Sequence, residues 1–487
     1  MDTYTFFLLV TGTYSVLLFF DLFFKSCAHY PYLKLLEGLG LELSFFTIQW
    51  KTKAFNRLII KWGNTKPYFW KLWFQLGTVV TLSFLPVALF ILFKSMFGLF
   101  GPKETEVAPP LVTIGLPGIN LPISEVGYYC ITLLICSFVH EMGHALAGVV
   151  EDIGTLELGF NIYFILPVAY VNLPTDKMQS LNVKKRLNIF SAGVWHNFLL
   201  SFFAYLLYWS LPWVFSPFYG YNGGVTVIDV LKTSPLRDAS KGILENDIIT
   251  AINDCKINNE NDWLDCLGDR NVILPAICIK SDLVNTLDES VPLKHLDSGV
   301  LSCCDPKNNK NLCFEYIDIE NNELELPGHA CLPGRTVMEQ ATNFCTVKPH
   351  DCPNSLYCFK PLLPNGTYLF KITCKSKNIV YLGHSSDLYN TIEISSYVKK
   401  SDIFSVSIPN RITKLIKYVS VISLGLAFVN VLPISFMDGE YIMQVAALLM
   451  LKSKFQNKEI LGFVNMVKWL MTALFFIYLL VSVIFVI

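Results

Sequence analysis

Hydrophobic and polar positions segregate along this chain into long apolar runs and charged stretches between them. The apolar runs lie at residues 5–24, 72–97, 126–150, 187–215, 413–434 and 461–487. About 20 apolar residues in a helix cross a bilayer, so the pattern predicts six transmembrane helices. No Lys or Arg precedes the first run and no small-residue cleavage site follows it, so we expect a retained span rather than a cleaved signal peptide.

The charged stretch between the first two runs orients the chain in the membrane. Residues 25–71 carry eight Lys or Arg against Glu37 and Glu42, with several aromatic residues. We expect a loop at the membrane surface, and the positive-inside rule places it in the cytosol. The N-terminus is then lumenal or extracellular, and the third span runs from the lumen to the cytosol.

A shorter apolar segment follows the third span. Residues 156–173 are broken by Gly159 and Pro167. They predict a re-entrant segment or a β-hairpin that packs against a site, because irregular backbone at membrane depth must be covered by protein or water.

Composition supports the membrane assignment. Only 16% of the residues are charged and 53% are hydrophobic, whereas a soluble domain has about a quarter charged residues. The net charge of −1 argues against a nucleic-acid partner. The interpretation is therefore an α-helical polytopic membrane protein in contact with the lipid bilayer.

The third span contains His-Glu-Met-Gly-His at 140–144, and Glu141 is its only Asp, Glu, Lys or Arg between Gly127 and Val150. On a helix, His140 and His144 lie one turn apart, so both imidazoles can reach one metal ion. Glu141 could then take a proton from a metal-bound water. Ionisable groups inside a membrane span are costly, which favours a functional explanation. By helix rise, the pair lies nearer the cytosolic face.

A catalytic zinc ion takes three protein ligands, so one more is needed. The nearby carboxylates, which have no distinctive context, are Glu151, Asp152 and Glu157. Asp438 is expected at the cytosolic end of its span, at a matching depth. The other interpretation of Asp438 is an interfacial carboxylate or a helix cap.

Two further features concern the same region. Pro433 and Gly439 are expected to bracket a break in helical structure beside Asp438. Asn197, in the stretch from Ser191, is either an interhelical hydrogen-bonding residue or a donor to the substrate carbonyl in an oxyanion site.

Residues 217–410 are the only large soluble region. Short strands are expected around Val225–Ile228 and Ile248–Ile252. Eleven of the fourteen cysteines lie from Cys255 to Cys374 without a Cys-x-x-Cys pair, which predicts a disulfide framework on the lumenal side. Asn365-Gly-Thr367 is the single glycosylation sequon, so Asn365 is a candidate glycosylation site.

Two other functions compete with a protease. A metal transporter would place ligands along several spans and would not need Glu141, whereas here the ionisable groups concentrate at one depth. An inactive relative that acts as a membrane scaffold or chaperone would not need an intact His-Glu-x-x-His pattern with Asp438.

Four stretches resemble the site-2 protease family of intramembrane zinc metalloproteases, in particular its animal members. They are FVHEMGHALAG at 138–148, SAGVWHNF at 191–198, GGVTVIDV through INDC at 223–255 and VNVLPISFMDGEYI at 429–442. The resemblance makes Asp438 the third ligand of one Zn²⁺ and residues 223–255 a PDZ-like lumenal module. A Cys-rich insertion would interrupt that module, and the strand-like stretch 379–397 would complete it.

The resemblance also implies a domain organisation, a cellular location and a class of substrates. The plan has an N-terminal membrane region at 1–122, a catalytic membrane core at 123–216, a lumenal PDZ-like and Cys-rich domain at 217–410, and a C-terminal membrane core at 411–487. Animal members reside in the Golgi membrane. They cut sterol-regulatory-element-binding and unfolded-protein-response transcription-factor precursors after a first lumenal cut, which implies transmembrane helical proteins as substrates.

Overall fold

A computed structural model of the chain describes residues 3–100, 123–237, 242–268, 276–295, 301–305, 310–317, 326–341, 343–345, 352–353, 356–364, 366–401 and 404–486. The chain divides into two compact units. We call Met1–Trp209 with Lys414–Ile487 the membrane unit, and Ser210–Thr413 the cysteine-rich unit.

The helices of the described ranges are α1 (Thr3–Ser26), α2 (Tyr30–Leu39), α3 (Asn56–Thr65), α4 (Pro67–Phe100), α5 (Val126–Val150), α6 (Thr175–Ser180), α7 (Val183–Phe215), α8 (Glu260–Gly268), α9 (Ser281–Leu287), α10 (Gly334–Gln340), α11 (Ser385–Thr391), α12 (Ser407–Val431), α13 (Asp438–Leu451) and α14 (Asn457–Val486). Within these ranges six helices, α1, α4, α5, α7, α12 and α14, are long and apolar enough to cross a membrane. The six predicted spans are thereby confirmed in number, and most extend a few residues further.

The strands are β1 (Leu41–Ser44), β2 (Thr47–Thr52), β3 (Glu157–Tyr163), β4 (Leu166–Asn172), β5 (Tyr219–Val230), β6 (Ile248–Ile252), β7 (Cys255–Lys256), β8 (Ala276–Lys280), β9 (Lys294–His295), β10 (Leu301–Ser302), β11 (Asn311–Tyr316), β12 (His329–Pro333), β13 (Phe344–Cys345), β14 (Leu356–Pro361), β15 (Tyr368–Cys374), β16 (Asn378–Gly383) and β17 (Ile392–Lys399).

The membrane unit contains a four-stranded antiparallel sheet in the order β1-β2-β3-β4. The expected hairpin at 156–173 is confirmed as β3 and β4. The segment 25–71, expected as a loop at the membrane surface, is not irregular, because it contains α2, β1, β2 and α3. Its position at the membrane surface stays a prediction. Its strand β2 pairs with β3, and Trp50 stacks on the opposite Phe160 with ring centroids 5.6 Å apart. This pairing joins residues about 110 positions apart, so local periodicity could not reveal it.

The chain breaks between α12 and α13 as expected, but with different limits. Helix α12 ends at Val431, and residues 432–437 are not helical. Pro433 cannot continue the α12 hydrogen-bond ladder. Asp438 is the first residue of α13 and not the end of the preceding span, and Gly439 lies inside α13 rather than in the break.

The packing of α4, α7, α12, α13 and α14 forms one apolar core of the membrane unit. Side chains that are almost fully buried there include Leu92, Val194, Val431, Ile442 and Tyr478. A second core joins α3, α4, α5 and α7 through Ile59, Phe74, Ala145 and Ile189. These two cores fix the helices that carry the candidate site.

The cysteine-rich unit contains two larger sheets. One has six strands, with the path β16-β15-β6-β5-β17 and β7 paired to β6. The other has five strands in the order β12-β11-β14-β8-β13. The stretch 379–397, which is expected to complete the PDZ-like module, contains β16, α11 and β17 rather than one strand, and β16 and β17 belong to the sheet of β5 and β6.

Five disulfides link ten of the eleven cysteines in this unit, which confirms the disulfide framework. The pairs are Cys255–Cys266, Cys278–Cys352, Cys303–Cys313, Cys304–Cys331 and Cys345–Cys358. Cys374 stays a buried thiol, and burial raises its pKa to about 12.

Candidate metal centre and its supporting contacts

Three predicted ligands meet in the membrane unit. The Nε2 atoms of His140 and His144 on α5 lie 3.2 Å apart. Oδ2 of Asp438, at the start of α13, lies 2.9 Å from the first and 3.1 Å from the second. Four donors at zinc bond lengths of about 2.0–2.1 Å on a tetrahedron stand about 3.3 Å apart. The separations therefore fit three ligands of one small ion.

The tautomer of His144 suits metal binding. Its Nδ1 lies 2.8 Å from the carbonyl oxygen of Ile189 on α7, to which it donates a hydrogen bond. In the neutral ring this leaves the Nε2 lone pair directed towards His140 and Asp438. A hydrogen bond of this kind fixes the ring orientation in metal-binding histidines.

Asn197 provides the corresponding contact for His140. Its side-chain nitrogen is placed 3.1 Å from Nδ1 of His140, and its Oδ1 is buried without a hydrogen-bond partner. The two amide atoms are nearly the same size, so their assignment follows from the hydrogen-bond network. Exchanging them lets Oδ1 accept a hydrogen bond from Nδ1, satisfies the orphaned oxygen and frees Nε2 for a metal.

Gly193 provides the space for this centre on α7. A Cβ at Gly193 would overlap Nε2 of His144 and lie 2.5 Å from Nε2 of His140. Only a glycine lets the α7 backbone approach the two ligand atoms so closely. Together with the donor set, this cradle fits a bound metal ion.

The backbone of β4 holds the side chain of Glu141, which lies on α5. Its Oε2 accepts a hydrogen bond from the backbone nitrogen of Val171 at 3.0 Å. One turn earlier on α5, Oγ of Ser137 accepts a 3.0 Å hydrogen bond from the nitrogen of Ala169. These two nitrogens point away from β3, so the free edge of β4 is bonded to the helix that carries the histidines.

A small cavity lies beside Glu141. It measures about 10 Å³ and is walled by aromatic rings that include Trp50, Phe138, Phe160 and Tyr170. This volume is close to that needed for one water molecule. Glu141 is the only ionisable carboxyl group in its lining.

The other candidates lie elsewhere. Glu151 is buried and paired with Lys185 and Asn188, at 3.2 and 3.1 Å. Neither Asp152 nor Glu157 belongs to a possible metal cluster in the described part of the chain. The one other cluster found there is Cys278, Cys345 and Cys352, whose sulfurs are in disulfides. Asn365 lies outside the described residues.

Sequence reasoning missed several supporting groups. The carbonyl of Ile189, the nitrogen of Val171 and the cradle at Gly193 belong to the backbone, so side-chain chemistry gives no signal for them. Gly193 did stand in a run of small residues, which indicates close helix packing. Ser137 had no distinctive context.

Apolar helices that enclose a His-Glu-x-x-His pair and a distant aspartate define a membrane-embedded metallopeptidase. A model of peptidase family M50 matches residues 128–475, a range that includes every candidate ligand. The membrane-bound transcription factor site-2 protease homolog of Arabidopsis thaliana is 24% identical over 464 residues, which cover 84% of this chain and 86% of that protein. The chain therefore belongs to peptidase family M50 and is an intramembrane metalloprotease of the site-2 protease type.

Proposed function

We propose that this protein uses one Zn²⁺ to cleave transmembrane segments of membrane-anchored transcription-factor precursors after a first lumenal cut. The cut would release their cytosolic domains. The observation that carries the catalytic part is the convergence of His140, His144 and Asp438 within 3.2 Å of one another. The named relative supports the substrate class, since its name refers to a membrane-bound transcription factor.

The three ligands would hold zinc through the two Nε2 atoms and Oδ2. When bound, zinc acidifies a water molecule and polarises a peptide carbonyl. Glu141 would accept the proton at its carboxylate and later return it to the leaving amine. The Val171 nitrogen keeps that carboxylate in place, and the Ile189 carbonyl and Asn197 keep the imidazoles oriented.

The contact of Asn197 with His140 favours a role as the hydrogen-bond partner of that ligand over the alternative role as a donor to the substrate carbonyl. Asn197 is fully buried, and Ser423 donates a 2.9 Å hydrogen bond to its backbone carbonyl. Among the described residues, His140 is the one hydrogen-bond partner of its side-chain amide.

The substrate would be a transmembrane helix that unwinds locally. Its carbonyls are otherwise occupied by helix hydrogen bonds, which lipid cannot replace. Gly, Pro or Asn in the target segment would lower the cost of unwinding. The sterol-regulatory-element-binding and unfolded-protein-response types of precursor follow from the resemblance to the animal enzymes.

We further propose a Golgi or endoplasmic-reticulum membrane location, with the active site nearer the cytosol and the cysteine-rich unit in the lumen. Five disulfides support an oxidising compartment. In this plan the sheet of β5, β6 and β17 belongs to a PDZ-like module that rejects uncut precursors, and Asn365 carries a glycan. A glycosidase-sensitive mass that persists in Asn365→Gln would contradict the glycan assignment.

The decisive experiment uses the full-length protein reconstituted in vesicles with a transmembrane substrate. We expect Glu141→Gln to keep one zinc per chain but to cut about 10²–10⁴-fold more slowly, the range of general acid–base catalysis. Asp438→Asn should lose both the bound zinc and the cleavage activity. Asp152→Asn is the matched control, because that residue is exposed at the end of α5 with a φ of 65°, which Asn accepts readily.

Three results would count against the proposal. They are cutting by Glu141→Gln at the wild-type rate, full zinc content in Asp438→Asn, and zinc transport into the vesicles that is equal in wild type and Glu141→Gln. The last would favour a transporter.

A further inference from the structure

Helix α14 carries none of the candidate ligands, yet it contacts the chain on both sides of Asp438. Nζ of Lys468 lies 2.9 Å from Oε1 of Glu440, two residues after Asp438. Four residues further along α14, Oγ1 of Thr472 accepts a 3.0 Å hydrogen bond from the nitrogen of Ser435, three residues before Asp438. Lys468 and Thr472 share one face of α14 because they are one turn apart.

The segment between these two contacts is a turn that contains an unfavourable backbone conformation. The nitrogen of Met437 closes the turn with a 3.2 Å hydrogen bond to the carbonyl oxygen of Ile434. Phe436 has a φ of 72°, in the left-handed region that a bulky residue rarely adopts. Its side chain is 96% exposed, so packing does not fix it. Its backbone nitrogen donates a long 3.4 Å hydrogen bond to Oε2 of Glu440. A backbone of this kind persists only where its surroundings impose it.

The ion pair between Lys468 and Glu440 is largely shielded from solvent. The side chains of Lys468 and Glu440 are 15% and 21% exposed. Lys468 is in a membrane-spanning helix, and Met471 and Phe475 of the same helix are almost fully buried. Removing one partner leaves a buried charge without its counter-charge, which is strongly unfavourable. The pair therefore constrains the first turn of α13 more than a surface ion pair would.

We propose that Lys468 and Thr472 are positioning residues for Asp438. Lys468 holds the first turn of α13 through Glu440, and Thr472 holds the preceding loop through Ser435. Between them they fix the point at which Asp438 enters the site. A ligand bond of about 2 Å tolerates little displacement, so the centre should weaken when either contact is lost. This inference depends on the proposed role of Asp438 as a ligand.

The test measures zinc affinity of the full-length protein in nanodiscs by competition with a chelator. We expect Lys468→Met and Thr472→Val each to bind zinc about 10–100-fold more weakly, the usual cost of losing a group that orients a metal ligand. The conservative variants Lys468→Arg and Thr472→Ser keep the charge and the hydroxyl, so they should restore most of the affinity. Lys458→Met removes an exposed lysine near the start of α14 and should have no effect.

The unfolding temperature is measured on the same samples. A purely structural role would lower that temperature while the folded protein kept its wild-type zinc affinity, and this result would overturn the proposal. Thr472→Val, which preserves shape, decides the question alone if Lys468→Met does not fold. Zinc affinity retained in Asp438→Asn would refute the proposed function, whereas loss there with wild-type affinity in both α14 variants would refute only this inference.

Discussion

The two units hold their folds by opposite means. In the cysteine-rich unit, five disulfides join strands and loops of two antiparallel sheets. In the membrane unit, Cys27, Cys130 and Cys136 are all unlinked. Its helices are joined by the packing of the two apolar cores, by close backbone approach and by polar contacts, such as the two hydrogen bonds that Ser201 and Ser420 exchange.

The difference follows from the solvent of each unit. Lipid gives helices little hydrophobic reason to associate, so association depends on small residues and interhelical hydrogen bonds. A Cβ at Gly63 or Gly77 would overlap Val149 or Trp195 on the neighbouring helix. Because polar groups are scarce in such helices, each one is informative about chemistry. In the cysteine-rich unit polar residues are common and carry less information.

The largest effect should come from closing the glycine cradle of the metal site. In Gly193→Ala the new methyl group would occupy space beside both histidine nitrogens, so we expect loss of bound zinc and of proteolysis. Gly425→Ala on α12 is the matched control, since its Cβ would meet nothing within 4 Å. The measurement is zinc content of the purified full-length protein. A Gly193→Ala variant that keeps one zinc per chain would contradict the assigned site.

Removing disulfides should give the next-largest effect, a loss of stability of the cysteine-rich unit. It should leave zinc binding unchanged. Cys278–Cys352 spans 74 residues and Cys303–Cys313 spans 10. Loop-closure entropy gives a cost of about 4 kcal/mol for replacing the first pair by Ala and about 3 kcal/mol for the second. The free energy of unfolding is read from the urea dependence of protease cleavage within the cysteine-rich unit of the intact protein.

Zinc affinity is measured on both disulfide variants. We expect it to stay at the wild-type value, because no ligand or supporting contact described above lies in that unit. Equal stability losses for the two pairs would contradict the explanation by loop-closure entropy. A lower zinc affinity would show that the metal site depends on the disulfides of the other unit.

The three proposed ligands were predicted from side-chain chemistry, and the structure brings them together. Glu141 and the two histidines stood out because charge is rare in an apolar helix, and Asp438 was one candidate among several until the family pattern selected it. The sheet of β1 and β2 was missed, since β2 pairs with a strand more than 100 residues away. Disulfide connectivity could not be predicted, because many pairings of eleven cysteines are compatible with one sequence.

The smallest effect should distinguish the two interpretations of Asn197. If its oxygen accepts a hydrogen bond from Nδ1 of His140, Asn197→Asp preserves that acceptor and should keep zinc affinity and kcat. Asn197→Leu removes the acceptor and should weaken zinc binding about 10–100-fold. If the amide instead donates to the substrate carbonyl, both variants should lose kcat by about 10²–10³-fold while zinc affinity is unchanged. Zinc competition and single-turnover cleavage on the same samples separate these outcomes, because the first reports the ligand shell and the second the reacting bond.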